Sequence, residues 1–185
     1  MKKIITDLQQ FQYFYPYTVA VVGAKSGEGV NYMSCAWHTA LSFDPPLFGI
    51  LVSKKRRTYD FITEAKEFTV NFLAREDIAL SAQMGRISGH NRDKIQEFAV
   101  ELSDSVHIQT PVLEAAYASF ECRLYDTRPY GDHVLFVGKV LAVQVQEDCF
   151  DRQGMLDPTQ VKPLLYMGSD FYLTVNPDTL EHKLP

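Results

Sequence analysis

The densest chemistry in this 185-residue chain is the hexapeptide Ser53-Lys54-Lys55-Arg56-Arg57-Thr58, where four of the 18 basic residues are consecutive although the net charge is −5. The run joins an apolar stretch, residues 47–53, to a segment of helical spacing that starts near Thr58. A helix N-terminus offers unpaired N–H groups and a partial positive charge, and so attracts phosphate. Ser53 and Thr58 bracket the run with hydroxyls that can donate to phosphate oxygens, and arginine grips such oxygens with paired donors. A solvated loop whose charges only aid solubility has the same composition.

Two further groups stand out. Asn31-Tyr32-Met33-Ser34-Cys35-Ala36-Trp37 contains small residues that let a planar ring approach a strand, whose N–H and C=O groups can then read the ring's polar edge. Trp37, the one tryptophan, either packs on such a ring or fills the core. Cys35 either touches a ligand or acts as a small hydrophobe. In Gly131-Asp132-His133 the histidine ends a hairpin, where it can orient or protonate a substrate or simply satisfy a turn. Other chemistries lack their residues. The five histidines, His38, His90, His107, His133 and His182, never stand at i,i+4, and no HExxH or clustered Cys/His set occurs. The Gly-x-Ser-x-Gly, P-loop and Gly-x-Gly-x-x-Gly patterns are absent.

Strands must position these groups. Residues 17–23 (YTVAVVG) are rich in β-branched side chains and run into the turn-forming Ser26-Gly27-Glu28-Gly29, so a hairpin partner is expected from Val30. Asp44-Pro45-Pro46 ends that strand, because proline donates no ladder bond and pushes the preceding residue out of helical geometry. Residues 47–53 read as a buried strand, and Phe68, Val70 and Phe72 alternate with Thr69 and Asn71. Ala118, Phe120, Cys122 and Leu124 mark a longer strand, which turns at Tyr130-Gly131-Asp132 into an apolar run over 134–145. Gly138 inside that run predicts a bulge or a close backbone approach.

Short helices are predicted over 58–66, with Phe61, Ile62 and Ala65 buried; over 77–84, capped by Asp77 and stopped by Gly85; and over 91–98. Residues 148–163 read as a loop. Many short strands and few helices predict a closed or partly closed barrel. The length suits one domain over 1–185, with its core over about 13–175 and a loosely held tail over 176–185.

The composition, with 46% hydrophobic and 22% charged residues, is that of a soluble globular protein. An acidic balance gives no footprint for nucleic acid or an anionic membrane. No stretch reaches the roughly 18 apolar residues of a membrane span, and residues 1–10 do not read as a signal peptide. Cys35, Cys122 and Cys149 are odd in number and widely spaced, which predicts reduced thiols and a cytoplasmic location.

In order along the chain, Tyr15-Pro16, the segment 31–37, Asp44-Pro45-Pro46, the run 53–58, Phe68-Thr69-Val70-Asn71, Gly131-Asp132-His133 with Phe136-Val137-Gly138, and Pro163-Leu164-Leu165-Tyr166 resemble the flavin reductase-like, FMN-binding split-barrel family. The match spans about residues 13–172, and the loop and strand motifs look most like its flavoredoxin-type members. The resemblance implies a mainly β fold, a six-stranded antiparallel Greek-key split β-barrel with short flanking helices, working as a homodimer with flavin near the interface. It implies bound FMN and an NADH or NADPH donor. Carried over by position, Met33, Ser34, Cys35, Ala36 and Trp37 line the isoalloxazine, while Ser53, Lys55, Arg57 and Thr58 hold the phosphate. Asn31 and Asn71 are weaker candidates, His133 lies near the nicotinamide, and Phe171 and Tyr172 reach the partner's flavin site. The implied function is an oxidoreductase that takes hydride from reduced nicotinamide onto flavin and passes electrons to an acceptor protein or free flavin. An electron carrier reduced by a protein partner and a flavin-free module on the same barrel are the alternatives.

Overall fold

A computed structural model describes residues 1–7, 12–27 and 29–181. The turn residue Glu28, part of the N-terminal segment, and tail residues 182–185 with His182 lie outside the described residues. Twelve strands are β1 (Tyr17–Thr18), β2 (Ala20–Ser26), β3 (Gly29–Cys35), β4 (His38–Phe43), β5 (Pro46–Ser53), β6 (Glu67–Leu73), β7 (Leu102–Ser103), β8 (Val112–Leu113), β9 (Ala116–Tyr130), β10 (His133–Val145), β11 (Leu165–Gly168) and β12 (Phe171–Leu173). Among the described residues three α-helices, α1 (Arg57–Ala65), α2 (Ile78–Arg86) and α3 (Lys94–Glu97), flank them.

The main sheet is antiparallel in the order β3-β2-β6-β9-β10-β5-β4. Its two edge strands belong to one stretch of chain. The ladder with β2 ends at Cys35, and the ladder with β5 begins at His38. Between them the Leu51 N–H donates to the Trp37 carbonyl at 2.9 Å. Residues 29–43 thus act as a single bent strand that closes the barrel, giving the six strands expected. Its bend, Ala36-Trp37, lies at the seam. The connection from β5 through α1 to β6 carries the chain across that seam, in the Greek-key manner.

Burial explains the sequence pattern. Ala20, Val22 and Ala24 of β2 point into the barrel with Ile50, Val52, Phe68, Val70 and Phe136, under Phe61 and Ile62 of α1. The opposite face of β2 is buried too, because Val21 packs with Tyr32, Leu73, Met84 and Leu113. A strand covered on both sides needs a continuous apolar run rather than alternation. Gly138 fulfils both readings of a mid-strand glycine. The β9–β10 register shifts beside it, and a Cβ there would sit 2.6 Å from Phe68 Cζ and 2.7 Å from Cys122 Cβ.

Three helix expectations need correction. The helix expected over 77–84 is α2, and Gly85 lies inside it instead of stopping it. A Cβ on Gly85 would come within 3.3 Å of Ser34 Cβ, so this glycine lets α2 close on β3. Asp77 precedes α2 without a side-chain capping bond. The helix expected over 91–98 shrinks to the single turn of α3, capped by the Asp93 carboxylate, which accepts from the Ile95 and Gln96 N–H groups. Helix α1 ends at Lys66, which adopts φ 59°.

Candidate functional site

The ends of three strands bring the sequence-predicted groups together. His133 opens β10 directly opposite Ser53, the last residue of β5, and the Leu51–Trp37 bond draws the end of β3 alongside. The His133 imidazole rests on the Trp37 indole with ring centroids 4.8 Å apart. Its Nδ1 lies 2.9 Å from Asp132 Oδ1, so Nδ1–H donates to the carboxylate and Nε2 lies on the opposite side of the ring. The bond to His133 holds the Asp132 carboxyl below the usual carboxylate range, with Lys55 contributing.

Two hollows flank the bend, and Ala36 lines both. The larger, about 500 Å³, is walled by Tyr17, Trp37, Leu51, Tyr130 and His133 and is predominantly apolar. The smaller, about 160 Å³, is bounded by Ser34, Arg56, Gly85, Arg86, Asp170 and Tyr172. One is therefore apolar and aromatic, and the other carries charged groups, the guanidinium groups of Arg56 and Arg86 with the carboxylate of Asp170. A still larger hollow of about 800 Å³ lies elsewhere, between β9–β10 and residues 147–156, and its lining includes Phe72, Tyr117, Phe120 and Phe150. None of the predicted site residues lines it, so size alone does not identify the site.

The structure separates the predicted residues into two groups. Ser34, Ala36, Trp37, Ser53, Lys55 and His133 gather at this end of the barrel, where Lys55 is exposed and Ser53 half-buried. The Ser34 hydroxyl donates to the Ser81 carbonyl at 2.5 Å, tying β3 to α2. Tyr172 lines this chain's own smaller hollow, while Phe171 is exposed. Other residues are consumed by the scaffold. Asn31 and the wholly buried Thr58 bond to each other, Nδ2 to Oγ1 at 2.7 Å, and pin β3 to α1. Arg57 lies over the Phe61 ring at 4.7 Å. Met33 packs against the barrel interior. The Cys35 thiol faces the Trp37 and Leu51 carbonyls, and burial pushes its pKa up to about 11. Asn71 is buried with its amide donating to the Val21 carbonyl and Thr69 Oγ1, and its oxygen accepting from Leu113 N–H and Ser119 Oγ–H.

Sequence reasoning missed Gly85, Arg86, Tyr166, Asp170 and Lys94, and passed over Arg56 within the basic run. Lys94 is buried, and its ammonium donates to the Tyr32 carbonyl and, at 3.1 Å, to the Met84 carbonyl. Burial, aided by nearby Arg56, lowers its pKa to about 8. It clamps β3 to the end of α2, behind the smaller hollow. An Asp-Lys pair at a short helix gave no linear signal of this role.

An antiparallel split barrel with a two-part cleft at its seam defines a ligand-binding class in which backbone and side chains share the work. Residues 12–174 match the flavin reductase-like domain, and the chain belongs to that family. Its structure is similar to an FMN-binding protein of Thermus thermophilus bound to 1-cyclohex-2-enone, at 35% identity and a TM-score of 0.88, covering 98% of this chain and 99% of that one. A flavoredoxin of Methanosarcina acetivorans aligns at 28% identity and a TM-score of 0.85, over 95% of this chain and 92% of its own. A flavin reductase of Pseudomonas putida is 27% identical over 72% of this chain and 76% of that protein. Among the described residues no helix is long and apolar enough to cross a membrane.

Proposed function

We propose that this chain is an FMN-binding oxidoreductase that accepts electrons from NADH or NADPH and passes them onward. The observation that carries the reading is the pairing of two hollows around Ala36, one aromatic beside Trp37 and His133 and one lined by Arg56 and Arg86. A ligand with a flat ring and a phosphate needs both kinds of wall. The donor set fits FMN: the exposed Lys55 and Arg56 can meet the phosphate, and the bend at Ala36-Trp37 gives the ring's polar edge a backbone to read. Bound flavin supplies the ability to take up a hydride and release electrons.

The chain's own residues bind, orient and shield. Tyr17, Trp37 and Leu51 supply an apolar wall, and His133, fixed by Asp132 and Trp37, stands beside it to meet an incoming ring. No nucleophilic side chain is required. Flavin near a homodimer interface, as the family resemblance implies, belongs to this proposal, as does an electron-accepting protein or free flavin as the onward partner. The test is an absorbance spectrum of the purified protein followed by anaerobic NADH and then NADPH. Flavin bands that bleach with one donor support the reading and name the donor. Colourless protein that takes up no added FMN refutes it. Bands that persist through both additions favour an electron carrier, the reading to which likeness to a flavoredoxin also points.

A further inference from the structure

The β11–β12 hairpin forms part of the wall of the smaller hollow, contributing Tyr166, Asp170 and Tyr172 to its lining. Its turn consists of Ser169 and Asp170, between the paired residues Gly168 and Phe171. Both turn residues have positive φ, 49° and 63°. That is the tight two-residue hairpin geometry usually given to Asn-Gly or Gly-Gly. Side chains there cost of order 1 kcal/mol per residue, and such positions persist where the surroundings hold them. Here the Asp170 carboxylate meets Arg86, on the last turn of α2, at 3.1 Å. Both side chains are roughly half exposed. Glycine at 170 would relieve the backbone but delete the ion pair.

We infer that Arg86 and Asp170 form a latch which fastens the β11–β12 hairpin to α2 across the flavin hollow and sets how long the flavin stays bound. This rests on the flavin reading above. The two latch arms are anchored on opposite walls. Gly85 packs α2 against Ser34 of β3, while β11 pairs with β1 at Tyr17 and Thr18. Opening the pair leaves both anchors and the Tyr172–Ser81 hydrogen bond in place and frees the hairpin's turn. An exposed ion pair is a weak fastening, so flavin release should respond several-fold, not by orders of magnitude, and should respond to salt.

The experiment loads the full-length protein with FMN and follows its release on dilution by the recovery of free-flavin fluorescence. Asp170→Asn and Arg86→Gln should each speed release about three- to tenfold. The exchanged pair, Arg86→Asp with Asp170→Arg, should return the rate toward wild type. Raising the salt concentration should speed release from wild type more than from the single variants, in which only the phosphate contacts are left to screen. Faster release from Arg86→Gln with Asp170→Asn at the wild-type rate overturns the latch and makes Arg86 a direct flavin contact. Wild-type rates in both single variants also overturn it. Hydrogen exchange over residues 165–173, without FMN, reads the fastening separately and should quicken in both single variants. A wild type that takes up no FMN refutes the flavin reading and the retention claim together, whereas unchanged exchange refutes the latch alone.

Discussion

Two polar centres, one around Asn71 of β6 and one at the seam, differ in what their valences are used for. Around Asn71 every amide valence is spent internally, on Val21, Thr69, Leu113 and Ser119. At the seam, His133, Ser34 and Arg56 line hollows and spend only part of their capacity on the protein, while Trp37, whose Nε1–H donates to the Tyr15 hydroxyl at 3.2 Å, lines the larger hollow with its ring. Both centres hold residue types that could bind a ligand. A polar group whose partners are all within the fold is scaffold, and one with capacity directed at a cleft is a site. The comparison predicts that changes at the first centre cost stability and changes at the second cost binding or turnover.

The largest effect should come from Asn71→Ala. It strands buried donors and acceptors on four partners, and buried groups left unpaired cost about 1–3 kcal/mol each, with partial relaxation. A loss of about 4 kcal/mol by urea unfolding is expected, a large part of a typical domain's margin. Flavin lost only in proportion to unfolding would agree with the scaffold role. Selective flavin loss at unchanged stability would place Asn71 at the site after all. Gly138→Ala tests the same scaffold through shape. Its methyl group would collide with Phe68 and Cys122, and overpacking of this kind costs about 1–3 kcal/mol.

Lys94 sits between the two regimes, as a buried charge with two backbone carbonyl partners. Lys94→Met should cost about 2 kcal/mol by leaving those carbonyls unpaired. The pH dependence carries a definite sign. The folded-state pKa of about 8 lies below the ordinary 10.5, so between these values the unfolded chain binds more protons than the folded one. This group's contribution to stability therefore rises with pH across that window and is flat below it. The difference in unfolding midpoint between wild type and Lys94→Met should widen from pH 8 to 10. A difference that shrinks over that range would contradict the buried-charge assignment.

The barrel was legible in the sequence because its strands bury apolar faces in period two or continuously, and its turns carry Gly and Pro. Strand β9 is longer than its alternation indicated, reaching Tyr130 through residues that are mostly exposed. Hydrophobic pattern vanishes there although the pairing with β10 continues. The site was legible as three linear motifs and no further. Asn31 and Thr58 have the chemistry of ligands, and only the fold shows that they bond to each other. Gly85, Arg86 and Asp170 reach the cleft from elements distant in sequence, and their types are common on any surface. Gly85 reads as a helix stop because a glycine needed for close packing has the same letter as one needed for a cap.

At the seam, Arg56→Ala should weaken FMN binding about tenfold while unfolding stays within 0.5 kcal/mol of wild type, because Arg56 is exposed and surface substitutions rarely cost more. Titration of apoprotein with FMN measures the first, and affinity within twofold of wild type would move the phosphate away from this loop.

The smallest change expected in binding is that of His133→Ala. His133 touches the protein through the Trp37 ring and the Asp132 carboxylate, and neither contact holds the barrel together. Removing it leaves the cationic hollow whole, so FMN affinity should stay within about threefold. Turnover with the preferred nicotinamide should nevertheless fall about tenfold, because an incoming ring loses a group held in fixed orientation at the mouth. Asp132→Asn should produce a milder form of the same loss, since an amide still accepts from Nδ1–H without the charge. Flavin loss from folded His133→Ala would instead make this histidine a support that the bound ring cannot do without, and its separate role toward the donor would fall.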